Sequence, residues 1–348
     1  MQENNPREFF IQWHLTERCN LNCTHCYQTG EKFDELDGDE IRAVLDEIAE
    51  MFGAWEEGAQ VAFTPGFNVT GGEPFLRNDL FEILARMRAM NFDTYLLTNG
   101  TLIDAGKAGM LAELGVKGVQ VSIEGPKAIH ESIRGVGSFE TACRGVSHLL
   151  DAGLRVTLNA TLSGLNADCV QGIIDLAADL GVQRLGFSRL VPSGKGLGLV
   201  DRMLDTREVR NLYERIFFQS DPKVEMVSGD PVATQLRNPA AGTDGGDVPA
   251  GGCSAGVSGL TLLADGTVVP CRRLALPLGN VRTDSLREIW TDSPVLEQLR
   301  NRALYKGKCG SCPRWSVCRG CRAIAFAHSG TRGEADLLAE DPQCFIET

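Results

Sequence analysis

The sequence predicts an α/β fold: a partial (β/α)6 barrel followed by a small cysteine-rich unit. Three observations carry this. Segments of strand periodicity alternate with segments of helical periodicity from residue 9 to residue 219. Six such units fall short of the eight that close a full barrel. Seven of the twelve cysteines then crowd between Cys253 and Cys344, and in an intracellular chain they read as metal ligands before disulfides.

Phe9 to Leu15 reads as the first strand, leading into the loop Glu17-Arg18-Cys19-Asn20-Leu21-Asn22-Cys23-Thr24-His25-Cys26-Tyr27. Residues 38–52 read as a helix with Ile41, Val44, Leu45, Ile48 and Phe52 on one face. A loop over 53–66, rich in Gly, Pro and Trp, precedes a short strand at Phe67 to Thr70. Helices at 78–90, 104–114, 139–151 and 166–180 then alternate with strands at 93–97, 118–123, 154–161 and 183–188, and a helix at 206–219 closes the series. Such alternation implies a parallel sheet with right-handed crossovers, with active residues at the C-terminal strand ends. Residues 238–252 have linker composition. The expected units are therefore a barrel over 1–220, a bridging region over 221–252 and the cysteine-rich unit over 253–348. Within the last, Leu260 to Pro270 reads as a hairpin turned by the pair Asp265-Gly266.

Composition narrows the function classes. Hydrophobic content of 43% and charged content of 23% suit a globular chain of 348 residues. No apolar run reaches the ~18 residues of a membrane span, and the polar N-terminus lacks a signal-peptide pattern, so a cytoplasmic location and no membrane partner are expected. Lys plus Arg number 34 against 46 Asp plus Glu, a net charge of −12. That opposes non-specific nucleic-acid binding, which rests on neutralising phosphates.

Cys19, Cys23 and Cys26 can reach three corners of a four-iron cube. No fourth cysteine lies nearby, so one iron is left for another ligand. A zinc knuckle completed by His25 is the alternative. The spacing Cys-x3-Cys-x2-Cys resembles the signature of the radical S-adenosylmethionine (SAM) enzymes. The resemblance implies SAM chelated on the open iron and cleaved to a 5′-deoxyadenosyl radical.

Gly71-Gly72-Glu73-Pro74 directly follows the second strand and resembles the family motif that holds the SAM amino group, with Glu73 accepting from the ammonium. Ser122, at the end of the fourth strand, and Arg134 resemble family positions near the ribose and carboxylate; Asn159, ending the fifth strand, could reach the ribose. Leu190, just past the sixth strand, falls where the family contacts adenine through backbone. The plain alternative for each polar residue is a cap or a surface group. Glu124 receives no role. Thr98-Asn99-Gly100 reads as a turn, Cys143 and Cys169 as small structural apolar residues; Cys169 is the candidate for a hydrogen-atom donor.

Cys253, Cys271, Cys309, Cys312, Cys318, Cys321 and Cys344 resemble the SPASM extension of these enzymes, which carries two auxiliary four-iron clusters. That implies three [4Fe-4S] clusters in all. Carried over, Cys309, Cys312, Cys318 and Cys344 hold the outer auxiliary cluster and Cys253, Cys271 and Cys321 the inner one, which is left one thiolate short. Zinc ribbons remain the alternative for the Cys-x2-Cys pairs. Arg272, Arg273, Arg314, Arg319 and Arg322 cluster near these ligands and could bind an acidic group, raise a cluster potential or simply pair with surface acids.

The resemblance implies first a maturase acting on a ribosomally made peptide or protein, by hydrogen abstraction and thioether or other crosslinking. Its implied partners are the peptide, a separate leader-binding protein and a reductant such as flavodoxin or ferredoxin. Only about ten residues precede the first strand, so no fused leader-binding domain is expected there. The second expectation is side-chain chemistry on a tetrapyrrole of haem or haem d1 synthesis. A third, an electron carrier without catalysis, is opposed by the SAM-side residues Gly71 to Pro74.

Overall fold

The computed structural model describes residues 7–30, 34–59, 63–218, 224–237 and 246–346. Six strands pair in chain order and all in parallel: β1 (Arg7–His14), β2 (Phe63–Thr70), β3 (Asp93–Thr98), β4 (Gly118–Ser122), β5 (Val156–Leu162) and β6 (Arg184–Arg189). The crossovers are α1 (Gly38–Ala59), α2 (Leu80–Ala89), α3 (Ala105–Glu113), α4 (Lys127–Arg134) with α5 (Ser138–Asp151), and α6 (Val170–Asp179); α7 (Thr206–Phe218) follows β6. The six units are those the periodicity predicts.

Helix α4 falls where no element was expected, and three further stretches differ from the sequence expectation. Helix α1 continues through 53–59, where a loop was expected, because Trp55 extends its apolar face onto the rings of Phe9 and Phe52, both 5.3 Å away. Strand β2 starts at Phe63 rather than Phe67; Gly66 keeps the strand close to β1, since a Cβ there would lie 2.8 Å from the Phe10 ring. The bridging region also contains structure: β7 (Glu225–Val227) adds in parallel to β6, and α8 (Pro231–Arg237) starts on a proline suited to a first helical turn. Residues 238–245 of the expected linker lie outside the described residues.

The hairpin forms from β8 (Gly259–Leu262) and β9 (Thr267–Val269). Its loop is three residues long rather than two. The Gly266 N–H donates to the Leu263 carbonyl, the Leu263 N–H donates to Thr267, and Gly266 takes φ +84°, the left-handed position such loops reserve for glycine. Strand β8 pairs in parallel with β1, from Phe10 opposite Gly259 to Trp13 opposite Leu262. With β10 (Gly279–Asn280) against β9, one ten-stranded sheet results, in the order β10-β9-β8-β1-β2-β3-β4-β5-β6-β7. The cysteine-rich unit thus covers the β1 edge of the barrel instead of leaving it unpaired.

Alternation along the strands sorts the two faces. Ile11, Trp13, Phe67, Val69, Leu96, Val121, Leu158 and Leu185 are buried in the main core with Leu45, Ile48, Met87, Leu111, Leu149 and Ile173 of the helices. Gln120, Ser122, Asn159, Thr161 and Ser188 alternate with buried neighbours and line an open cavity at the C-terminal strand ends. Helices α9 (Leu286–Asp292), α10 (Pro294–Arg300), α11 (Gly307–Ser311) and α12 (Arg322–Gly330) surround a second core of Leu296, Leu299, Tyr305, Trp315 and Ile324. Among the described residues no helix is long and apolar enough to cross a membrane.

Candidate active site

Cys19, Cys23 and Cys26 line one cavity of about 940 Å³ together with Gly71, Gly72, Ser122, Arg134 and Asn159. Backbone contacts fix the cysteine loop from several sides. The Gly72 N–H donates to Thr16 O and the Glu73 N–H to Arg18 O, both at 2.8 Å. A Cβ on Gly71 would lie 2.3 Å from Thr16 O, and one on Gly72 2.4 Å from Arg18 O. Two glycines are needed because backbone meets backbone here. The Gly196 N–H donates to Cys26 O at 3.0 Å, and the Thr24 N–H to Ile133 O at 2.9 Å.

Glu124, left without a role by the sequence motifs, organises the wall beside Cys23. It is fully buried and accepts from Arg134 Nε at 2.9 Å, Arg134 Nη2 at 2.6 Å and the Thr161 N–H at 2.8 Å. His25 Nε2 stands 3.3 Å from the same carboxylate. Burial pushes the Glu124 pKa up, but the charges of Arg134 and His25 outweigh it and hold the group well below the usual carboxylate range. Arg134 also points Nη1 at the Cys23 sulfur, 3.8 Å away. His25 is therefore engaged with Glu124, and its Nδ1 is buried with no hydrogen-bond partner among the described residues.

Glu73 is also fully buried, with its carboxylate turned to the end of β3. It accepts from the Thr98 hydroxyl at 2.8 and 2.9 Å, the Asn99 N–H at 2.8 Å and the Phe75 N–H at 3.3 Å. Burial pushes its pKa up to about 7, against those hydrogen bonds. Thr98-Asn99-Gly100 is thus more than a turn. Asn99 Nδ2 bonds Asn20 Oδ1 at 2.9 Å and lies 4.0 Å from the Cys19 sulfur, which joins the Gly-Gly-Glu turn to the first cysteine. Glu73, Pro74 and Leu190 do not themselves line the cavity. Pro74 opens a short 3-10 turn, and the Leu190 N–H donates to Leu162 O.

The donor set fits a cubane carrying a polar cosubstrate. Three thiols share the cavity, and the side chains of Gln120, Ser122, Asn159 and Ser188 line it without a hydrogen bond to other described residues. Among the described residues no group of three or more His, Cys, Asp or Glu could hold a single metal ion.

The cysteines of the second field lie in two places. Cys309, Cys312, Cys318 and Cys344 line one small cavity beside Trp315. Cys253, Cys271 and Cys321 lie outside it. Cys321 feels the charge of Cys253, and Arg273 that of both Cys271 and Cys321. Arg319 and Arg322 do not pair with surface acids. Arg319 donates to the carbonyls of Ser316 and Cys253, and Arg322 to those of Leu337 and Ala339. Arg314 donates to Gln235, while Arg272 and Arg273 line the main cavity. Cys143, on α5, and Cys169, at the start of α6, do not line that cavity.

Residues 13–177 match the family model of the radical SAM superfamily, and residues 253–322 match SPASM, an iron–sulfur cluster-binding domain. An AdoMet-dependent heme synthase of Nitratidesulfovibrio vulgaris is 30% identical, over 99% of this chain and 94% of its own. The mycofactocin maturase MftC of Mycolicibacterium smegmatis is 29% identical, over 96% of this chain and 82% of its own. In structure the chain is similar to Streptococcus suis SuiB bound to its precursor peptide SuiA. The TM-score is 0.74 at 15% identity, covering 98% of this chain and 76% of that one.

Proposed function

This chain belongs to the radical SAM superfamily, with an SPASM domain, and from that premise we propose that it matures a ribosomally made peptide or protein. The cofactors the family implies are SAM and iron–sulfur clusters. With both bound, one-electron cleavage of SAM supplies a 5′-deoxyadenosyl radical able to take hydrogen from a C–H bond. Cys19, Cys23 and Cys26 would hold three irons of the first cluster. The Gly71-Gly72 backbone, Ser122, Asn159 and Arg134 would seat SAM, with Arg134 held in place by Glu124. Glu73 would act from behind, by fixing the Gly-Gly turn to β3.

The observation that carries the reading is a single cavity. It is lined both by the three thiols and by Arg272 and Arg273, the neighbours of Cys271. A substrate radical formed there would lie beside the inner auxiliary set, Cys253, Cys271 and Cys321, which could accept its electron. The outer set would be Cys309, Cys312, Cys318 and Cys344. The units would divide as 1–220, 221–252 and 253–348, in a cytoplasmic protein served by flavodoxin or ferredoxin and by a separate leader-binding protein. One observation favours a second reading, tetrapyrrole side-chain chemistry: the similarity to the heme synthase extends over nearly the whole of both chains.

The test is mass spectrometry of two candidate substrates after anaerobic incubation with the reduced protein and SAM. One is a cysteine-containing peptide encoded beside the gene; the other is iron-coproporphyrin III. Loss of the hydrogen pair that each new crosslink expels from the peptide supports the first reading. A changed porphyrin with an unchanged peptide replaces it with the second.

A further inference from the structure

The cavity wall formed by the Cys271 loop carries cations that the protein leaves without acidic partners. The other cationic groups of the cavity are engaged. Arg134 pairs with Glu124 at 2.6 Å, Arg18 with Glu35 at 3.5 Å, and Arg189 with Asp230 at 2.5 Å and Asp341 at 2.8 Å. Lys195 bonds the Asn22 side chain. The cavity's own acids are taken as well. Glu35 accepts from the Thr16 hydroxyl at 2.5 Å and from the Glu17 N–H, and Glu17 contacts His14 and Gln28.

Arg272 is different. Among the described residues it forms no hydrogen bond and no ion pair, and it lies 5.7 Å over the ring of Tyr27, next in chain to Cys26. Arg273 donates Nη1 to Arg189 O at 3.1 Å, while its Nε is buried with no hydrogen-bond partner among the described residues. Arg273 is held by the charges of Cys321, Cys271 and Asp230, but a half-buried guanidinium with no ion-pair partner, as at Arg272, is costly for the protein alone. The same arrangement is pre-organised for a planar oxyanion, which a guanidinium grips through paired N–H donors. In a chain of net charge −12 it is a local feature.

We propose that Arg272, backed by Arg273, is a carboxylate-binding site that holds the substrate between the first cysteine loop and the Cys271 loop. The proposal rests on the reading of this cavity as the active site and adds what that site recognises. The carboxylate is an acidic side chain or C-terminus of a peptide, or a propionate of a tetrapyrrole.

The test uses the full-length, reconstituted protein with SAM, under anaerobic equilibrium dialysis. The probes are iron-coproporphyrin III against its tetramethyl ester, and acetyl-Gly-Glu-Gly-amide against acetyl-Gly-Gln-Gly-amide. One acid probe is expected to bind at least tenfold more tightly than its neutral counterpart, and Arg272→Gln should abolish that preference. Arg272→Lys, which keeps a charge without the planar fork, should retain part of it, and it decides the matter if Arg272→Gln fails to hold iron. Preference in the porphyrin arm identifies a propionate; preference in the peptide arm identifies an acidic peptide. The proposal is overturned if neither acid form is preferred, or if Arg272→Gln keeps the preference. A shifted auxiliary-cluster potential with the preference intact would assign Arg272 to the cluster instead. SAM cleavage by the wild-type protein is measured separately, so failure of the active-site reading is told apart from failure of this one.

Discussion

Glu124 shows what a single buried charge does here. It neutralises Arg134, and Arg134 in turn faces the Cys23 sulfur. Removing one partner of a buried pair strands the other, at a cost of about 3–5 kcal/mol. Glu124→Ala is therefore expected to lower stability by roughly that amount in anaerobic urea unfolding, and to weaken SAM binding. The role was not legible in the sequence, because an acid between Ile123 and Gly125 reads equally well as a loop residue. His130 gives a pH signature at the same scale. Its Nδ1 accepts from the Glu124 N–H at 3.2 Å, and burial, helped by Arg134, pushes its pKa down to about 4. On acidification the unfolded chain takes up this proton first, near pH 6.5, so the neutral-His130 contribution is full above that pH and is lost below it. Between pH 7.5 and 5.5 the loss should be about 1.4 kcal/mol. In His130→Gln, whose amide oxygen can still accept from Glu124, the pH dependence should be flatter by about that amount; an unchanged slope would contradict the assignment.

At the scale of elements, the Gly71-Gly72 turn and the cysteine loop are one object. Alanine at Gly72 would place a Cβ 2.4 Å from Arg18 O, a clash that only backbone movement relieves. Gly72→Ala is expected to reduce the iron held by the first cluster by at least half while leaving the auxiliary iron in place, as read by iron analysis and EPR. Equal loss from all sites would mean general unfolding. The strands and helices of the barrel were legible because their apolar periods, two and 3.6, are distinct. Helix α8 was not, as seven residues starting at a proline carry little period. Nor was the pairing of β8 with β1, which depends on Gly259, where a Cβ would lie 2.4 Å from Phe10 O, a tertiary contact with no local signal.

At the scale of the whole molecule, Arg189 joins the barrel to the cysteine-rich unit. It ends β6, is buried, and bonds Asp230 and Asp341. Asp341 in turn accepts from the Cys321 N–H at 2.8 Å. Arg189→Met should leave both acids stranded and release the inner auxiliary cluster, taking iron from about twelve to about eight atoms per chain if all three clusters are cubanes. Iron retained at the wild-type level would contradict that linkage. The cysteine pattern was legible in the sequence; the buried ion pairs that carry its loops were not, since Arg189, Asp230 and Asp341 are far apart in the chain.

The central claim is that Cys19, Cys23 and Cys26 hold a SAM-cleaving cluster independent of the auxiliary sites. Its most direct test is 5′-deoxyadenosine formation on anaerobic reduction in the presence of SAM, by the wild type and by the triple alanine variant of those cysteines. The wild type should form it, and the variant should form none while keeping about eight iron atoms per chain. Formation by the variant, or none by a fully loaded wild type, would contradict the account.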